Sequence, residues 1–391
     1  MTSKTIIFKS IAVIVTVAVV SFFIFFPAQL EKQTNLLHDS ILPEISEQAR
    51  TLHGKLFIGD WHSDTLLWKR NLMDKHDYGH VDIPRLQQGN VALQLFTTVT
   101  KSPDGLNYEG NSSVASDNIT KLALVSLWPT NTWNSLVERA LFQASKVLEL
   151  VDEFPQQVLL ITSKTDLSQF LLQREINPKL LGMLLGTEGS HALDGDLSNI
   201  KRLFDKGFRM MSLQHFFDNK LGGSLHGESG EGLTAFGREA LQRMQSLGIM
   251  LDVSHSSEQV VQDVLAISRQ PLLVSHTGFH GHCSSSRNIS DDLMQQIAAK
   301  GGLIAVGYWD GAICGPNARE IAKAVKYGIE LVGVEHIALG SDYDGAVSVP
   351  FDTSKLIYLT QAFLDIGLSE FQIKQVMGGN MLRYLQLHLP D

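Results

Sequence analysis

The chain has 391 residues, 44% hydrophobic and 19% charged, a globular composition that excludes collagen-like and disordered classes. Its formal net charge of -9 and the absence of a basic cluster exclude a phosphate-backbone partner, so no nucleic acid is expected. The length fits either two domains or one α/β barrel of about 250 residues or more, so strand spacing has to decide.

The first segment differs in kind from the rest. No residue from Ile11 to Phe26 is charged, Lys4 and Lys9 precede the run, and Glu31 and Lys32 follow it. A run of about 16 to 18 apolar residues lies between a long signal-peptide core and a short transmembrane helix. A signal peptidase prefers small residues spaced as in A-x-A, whereas this stretch ends Phe25-Phe26-Pro27-Ala28-Gln29, with a bulky Phe two before Ala28. An uncleaved signal anchor over residues 1–32 is therefore favoured over a cleaved signal peptide. The flanking lysines hold the N-terminus in the cytoplasm, which predicts a single-pass protein whose catalytic domain, residues 33–391, faces the periplasm or the cell exterior.

From Gln33 to Lys55, Leu36, Leu37, Ile41, Leu42, Ile45 and Leu52 fall near helical spacing, interrupted by Pro43, which predicts a helical lead-in. Short β-branched-rich runs then recur at Leu56–Gly59, Val91–Val99, Leu180–Gly186, Phe208–Leu213, Ile249–Val253, Leu272–Val274, Leu303–Val306 and Ile337–Gly340. Amphipathic stretches of helical period separate most of them, including one at Ser135–Phe154, and a small apolar run at Val158–Ile161 reads as peripheral. Eight strands, each needing a covering crossover, predict one (β/α)8 TIM-like barrel, with a doubly wound open sheet as the alternative.

Metal-binding residue types fall just after the strands, where such a barrel carries its chemistry. The first strand runs into Asp60-Trp61-His62-Ser63-Asp64, and residues two apart in an extended segment share a side, so His62 and Asp64 can grip one ion. Glu188, His215, His255, His276 and Asp342 follow the third, fourth, fifth, sixth and eighth strands. A lone His there is usually a hydrogen-bonding residue and a lone Asp an N-cap. Six strand ends in one register point instead to a metal centre, and the N/O set suits zinc. His38, His53, His76, His80, His191, His226, His280, His282, His336 and His388 lack that register and read as surface or supporting residues. Cys283 and Cys314 sit in no C-x-x-C pattern, leaving free thiols or one disulfide open.

These residues resemble the membrane (renal) dipeptidases of the amidohydrolase superfamily. The resemblance rests on the H-x-D at His62, Glu188-Gly189, Gly232-Leu-Thr-Ala-Phe-Gly237, and Leu247-Gly248-Ile249 leading to Asp252-Val-Ser-His255. It extends through Ser275-His276, Ser286-Arg287-Asn288 with Asp291-Asp292, and Gly340-Ser-Asp342-Tyr-Asp344-Gly345, from about Leu56 to the C-terminus. It implies two zinc ions per chain, with His62 and Asp64 on the first, His255 and His276 on the second, and Glu188 bridging both. A metal-bridging hydroxide would then cleave dipeptides. Asp342 would act as acid/base, with Asp344 the alternative; His215 would touch the scissile carbonyl, and Arg287 would clamp the substrate's terminal carboxylate.

Cys283 and Cys314 fall near positions bridged in family members. The family's aromatic contact after the seventh strand is not matched at Tyr308-Trp309-Asp310-Gly311-Ala312, which leaves side-chain preference open. The chain also ends Leu387-His388-Leu389-Pro390-Asp391 without the hydrophobic tail of a lipid anchor, so the N-terminal segment is expected to tether it. Another amide or lactam hydrolase, or a non-catalytic membrane-tethered binding protein, are the alternative functions, and a homodimer is left open.

Overall fold

The runs expected as strands are apolar on both sides of the chain, as strands covered on both faces must be. In the computed structural model, which describes residues 3–38 and 42–391, all eight pair in parallel. They are β1 (Ile58–Asp60), β2 (Val91–Val99), β3 (Leu181–Glu188), β4 (Phe208–Ser212), β5 (Met250–Asp252), β6 (Leu273–Thr277), β7 (Leu303–Val306) and β8 (Ile337–Leu339). Each pairs with its neighbour in chain order, from β1 through to β8. The ring closes where Trp61 N donates to Leu339 O at 2.9 Å and Ser63 bridges Tyr343 in parallel. The open-sheet alternative is thereby excluded: this is a nearly closed TIM-like barrel. Leu93, Leu184, Met210, Met250, Leu273 and Leu303, one from each of β2 to β7, belong to one buried apolar cluster. The longest ladder, β2 on β3, runs from Leu93 opposite Gly182 to Val99 opposite Glu188, which sets the height of Glu188 at the C-terminal rim.

The small run at Val158–Leu160 pairs with the outer side of β3, off the ring, as a peripheral strand. The expected helix around Ser135–Phe154 spans Leu136–Glu153, with the Ser135 side chain accepting from Glu138 N.

The lead-in differs from expectation. The N-terminal helix α1 (Ser3–Thr34) continues through Pro27 and beyond the apolar run. Leu36–Leu37 then pairs as a short parallel strand with Ser348–Val349, and a helix resumes only at Glu47–His53, capped by Ser46. Helical spacing misled because the backbone of Leu36 and His38 bonds to Val347 and Val349, a distant partner that no local period encodes. Ile41 of that expected lead-in lies outside the described residues.

Among the described residues one helix, Ile7–Thr34, is long and apolar enough to cross a membrane. Its C-terminal part rests on the barrel. Leu30 packs on the cluster formed by Leu67, Trp68 and Val99 with Ile119 and Leu122 of α2 (Asn118–Val125). Nearby, Lys69 Nζ donates to Phe23 O at 3.3 Å, and the buried Arg70 pairs with the buried Glu31.

Candidate metal centre

The strand ends converge on one buried cluster. Asp60, the last residue of β1, accepts at Oδ1 from the backbone N–H of both His62 and Ser341, each at 3.0 Å, which ties the first strand end to the last. His62 then directs Nε2 inward, 3.6 Å from Asp64 Oδ1, 3.5 Å from Glu188 Oε1 and 4.0 Å from Asp342 Oδ1. Asp64 is steadied by the Thr97 hydroxyl from β2.

Glu188 is the hub. Its Oε1 lies 3.2 Å from His255 Nε2, 3.4 Å from His276 Nε2 and 3.5 Å from His215 Nε2, while its buried Oε2 has no partner. The chain can turn so sharply after it because Gly189 has φ +88, where a Cβ would stand 3.1 Å from that of His215 and closer still to the His191 ring.

The tautomers follow from one serine. Asp252, at the end of β5, accepts the Ser275 hydroxyl proton at 2.8 Å and the Ser254 hydroxyl proton at 2.6 Å. Ser275 Oγ has then given its one proton away, so it accepts from Nδ1 of both His62 and His276, each at 3.0 Å. In their neutral form both imidazoles therefore carry the proton on Nδ1 and turn a bare Nε2 to the cluster, the form in which histidine binds a metal.

The electrostatics agree. Burial holds the pKa values of His255 and His276 well below the usual imidazole range, with Arg287 adding to it at both and His62 at His276. Burial also opposes charge on Glu188, but His215 and His62 outweigh it and lower its pKa. Burial and neighbouring carboxylates raise Asp64 to about 6 and Asp342 well above the carboxylate range. His62 is the exception: burial opposes its charge, yet Glu188 and Asp64 raise it well above 6.5, so without a cation a proton bridges these groups. A metal ion would take that proton's place. The groups His62–Asp64–Glu188, Glu188–His215–His255 and His62–His276–Asp342 each bring one donor atom per residue within 4.8 Å of the others. Buried imidazoles and carboxylates on this scale, one carboxylate oxygen unpartnered, fit a cation-binding centre.

The two aspartates after β8 part ways. Asp342, Asp344 and Ala346 have φ of 59, 64 and 62, left-handed values that only local bonding sustains in such residues. Asp344 supplies that bonding: it accepts from Thr65 Oγ1 at 2.8 Å and His80 N at 2.6 Å, and it pairs with Arg70. Asp342 instead faces His62 Nε2 in the open cavity.

Arg287 is fully buried, its Nη1 donating to Ser254 O and Nη2 to His276 O, both at 3.1 Å, with its guanidinium 5.2 Å from the Trp309 ring centre. A disulfide joins Cys283 to Cys314, Cα atoms 5.5 Å apart, and so braces the loops after β6 and β7 around Arg287. Arg287 and Asp342, with Glu188, His215, His255 and His276, line a cavity of about 630 Å³. All eight residues singled out as candidates thus meet at one rim. Asp60, Asp252, Ser275 and Arg70 were not foreseen as supports. Asp60 and Asp252 could have been, since each ends a strand two or three residues before a candidate histidine.

The model of the membrane dipeptidases, peptidase family M19, matches residues 46–387. The chain is 27% identical over 408 residues to the dipeptidase aclJ of Aspergillus oryzae, covering 96% of this chain and 88% of that protein. Solved structures with the same fold include the probable dipeptidase PvdM from Pseudomonas aeruginosa, 20% identical with a TM-score of 0.70, over 87% of this chain and 97% of that one. Another is a metallopeptidase from Rhodobacter sphaeroides solved with a phosphinate mimic of L-Ala-D-Ala, 20% identical with a TM-score of 0.68, over 85% and 99%. With a family match across most of its length and the buried donor cluster at its rim, the chain belongs to the membrane dipeptidases of peptidase family M19 and is a metallopeptidase.

Proposed function

We propose that the protein is a two-zinc dipeptidase tethered by residues 1–32, with residues 33–391 as one catalytic domain outside the cytoplasm. His62 and Asp64 would hold one ion, His255 and His276 the other, and Glu188 both. The carrying observation is the single Glu188 oxygen set within 3.5 Å of four imidazole nitrogens. When bound, zinc would lower the pKa of a water toward about 7 and polarise the substrate carbonyl.

The chain's own groups supply the rest. Arg287 presents a guanidinium at the cavity floor, suited to a substrate carboxylate, and so fixes the distance from chain end to scissile bond. His215 lines the same cavity with Nε2 3.5 Å from Glu188 Oε1, and would contact the scissile carbonyl there. Asp342, facing His62 Nε2 in the cavity, takes the proton from the attacking water as the C–O bond forms and delivers it to the amine nitrogen as the C–N bond breaks. The L-Ala-D-Ala mimic on the Rhodobacter relative supports testing a D-residue on the carboxyl side.

The test is metal analysis of the full chain together with assays on L-Ala-L-Ala and L-Ala-D-Ala. Hydrolysis that disappears on chelation and returns with zinc is expected. Full activity after metal removal, or a metal-loaded protein that cleaves neither, overturns the reading.

A further inference from the structure

The cavity at the rim does not end at the catalytic groups. It continues between α1 and α2, walled by Phe22, Phe26 and Leu30 on one side and by Ile119, Leu122 and Val125 on the other. The family match begins at residue 46, so the α1 wall lies outside the matched family domain. Phe22 and Phe26 stack on each other at 4.7 Å yet are 44% and 39% exposed, so their faces are not consumed by the protein's own core. They also form the last turns of the charge-free run, so a bilayer crossed by α1 would border this end of the space.

We propose that the space between α1 and α2 is a subsite for the apolar chain of an amphiphilic substrate that enters from the bilayer. The proposal rests on the dipeptidase reading and names the substrate class: a dipeptide, or similar amide, with a free carboxylate at one end and a long alkyl chain at the other. Barrel geometry decides which end. Arg287 bonds to residues of β6 and of the turn after β5, whereas α1 and α2 cover Asp64, Trp68 and Val99 beside β1 and β2, across the ring. A carboxylate at Arg287 therefore leaves the amino-side residue pointing toward the channel. The cavity of about 630 Å³ lies within the range of about 300–1,000 Å³ that houses drug-sized ligands.

The experiment uses the full chain in phosphatidylcholine nanodiscs with X-Ala dipeptides, where X is alanine, norleucine or 2-aminodecanoic acid. From alanine to 2-aminodecanoic acid, kcat/KM should rise about tenfold or more, because each buried methylene is worth roughly a threefold to fourfold factor. In Leu122→Trp, which fills the channel, the ratio of long-chain to short-chain kcat/KM should collapse toward one; using the ratio cancels any general loss. As a readout independent of turnover and of that variant's folding, an X-Ala probe with a diazirine at its chain tip should label peptides of α1 or α2. A flat chain-length profile with Ala-Ala still cleaved, or labelling elsewhere, overturns the subsite and leaves the dipeptidase reading standing. Failure to cleave any X-Ala overturns that reading instead, and the labelling site then still decides the channel.

Discussion

Nε2 of His255 and Nε2 of His276 stand 3.0 Å apart, both turned toward the same oxygen of Glu188. Burial lowers the pKa of both rings, and Arg287 Nη2 stands 3.3 Å from His255 Nε2, so these two nitrogens and the carboxylate meet where a shared proton or a cation is needed. Glu188→Gln would remove the charge that offsets the cations of the proposed two-ion centre. Metal content should fall toward one ion per chain or fewer by elemental analysis; two retained ions would show that Glu188 does not bridge.

Asp342→Asn keeps the shape of the turn after β8 but cannot shuttle a proton. Turnover should drop by about 10²-fold or more with metal content unchanged. Near-normal kcat would remove Asp342 from the proton path. Asp344 could not then replace it, being committed to Arg70, Thr65 and His80.

Arg70→Met should be among the most damaging changes away from the metal ligands. It leaves the carboxylates of Glu31 and Asp344, both buried, without their shared cation, a loss of the kind that costs about 3–5 kcal/mol. Because Asp344 also holds the left-handed turn that carries Asp342, kcat should fall together with Tm. A variant unfolding within about 0.5 kcal/mol of the parent would mean the network contributes little.

Stability should depend on pH through His53. Its Nδ1 meets Thr360 Oγ1 at 2.8 Å in a buried site, and burial lowers its pKa from 6.5 to about 4. Above 6.5 the ring is neutral folded or unfolded, and its contribution is complete. As pH falls from 6.5 toward 4, the unfolded chain takes up the proton that the folded one refuses, so stability declines, by about 3 kcal/mol in all. In His53→Gln, denaturant midpoints should fall less steeply across that window; an unchanged slope would refute the assignment.

The barrel was legible because parallel strands covered on both faces announce themselves as apolar runs; Val91–Val99 and Leu303–Val306 were bounded to the residue. The candidate site was legible because the chemistry clusters at the C-terminal ends of six strands, from Glu188 and His276 in the last residues of β3 and β6 to His215, His255 and Asp342 three residues past β4, β5 and β8. Its supports were harder to see. Asp252 acts through Ser275 on two histidines from different strands, and Arg70 joins residues far apart in the chain, Glu31 and Asp344. Such links are three-dimensional, with no spacing to betray them. The strand at Leu36–Leu37 was hidden for the same reason, its partner lying at Ser348–Val349.

That small strand pair also changes what α1 is. The polypeptide leaving the helix is stitched at once to the loop that follows Asp342, and the helix's last turns bear Glu31 and Leu30 against the barrel. A soluble form cut just after Thr34 would keep the stitch yet discard half of Arg70's charge compensation and one side of the cavity. The apolar N-terminal helix is thus a structural part of the enzyme, and a protein shortened at Thr34 would be a different catalyst from the full chain.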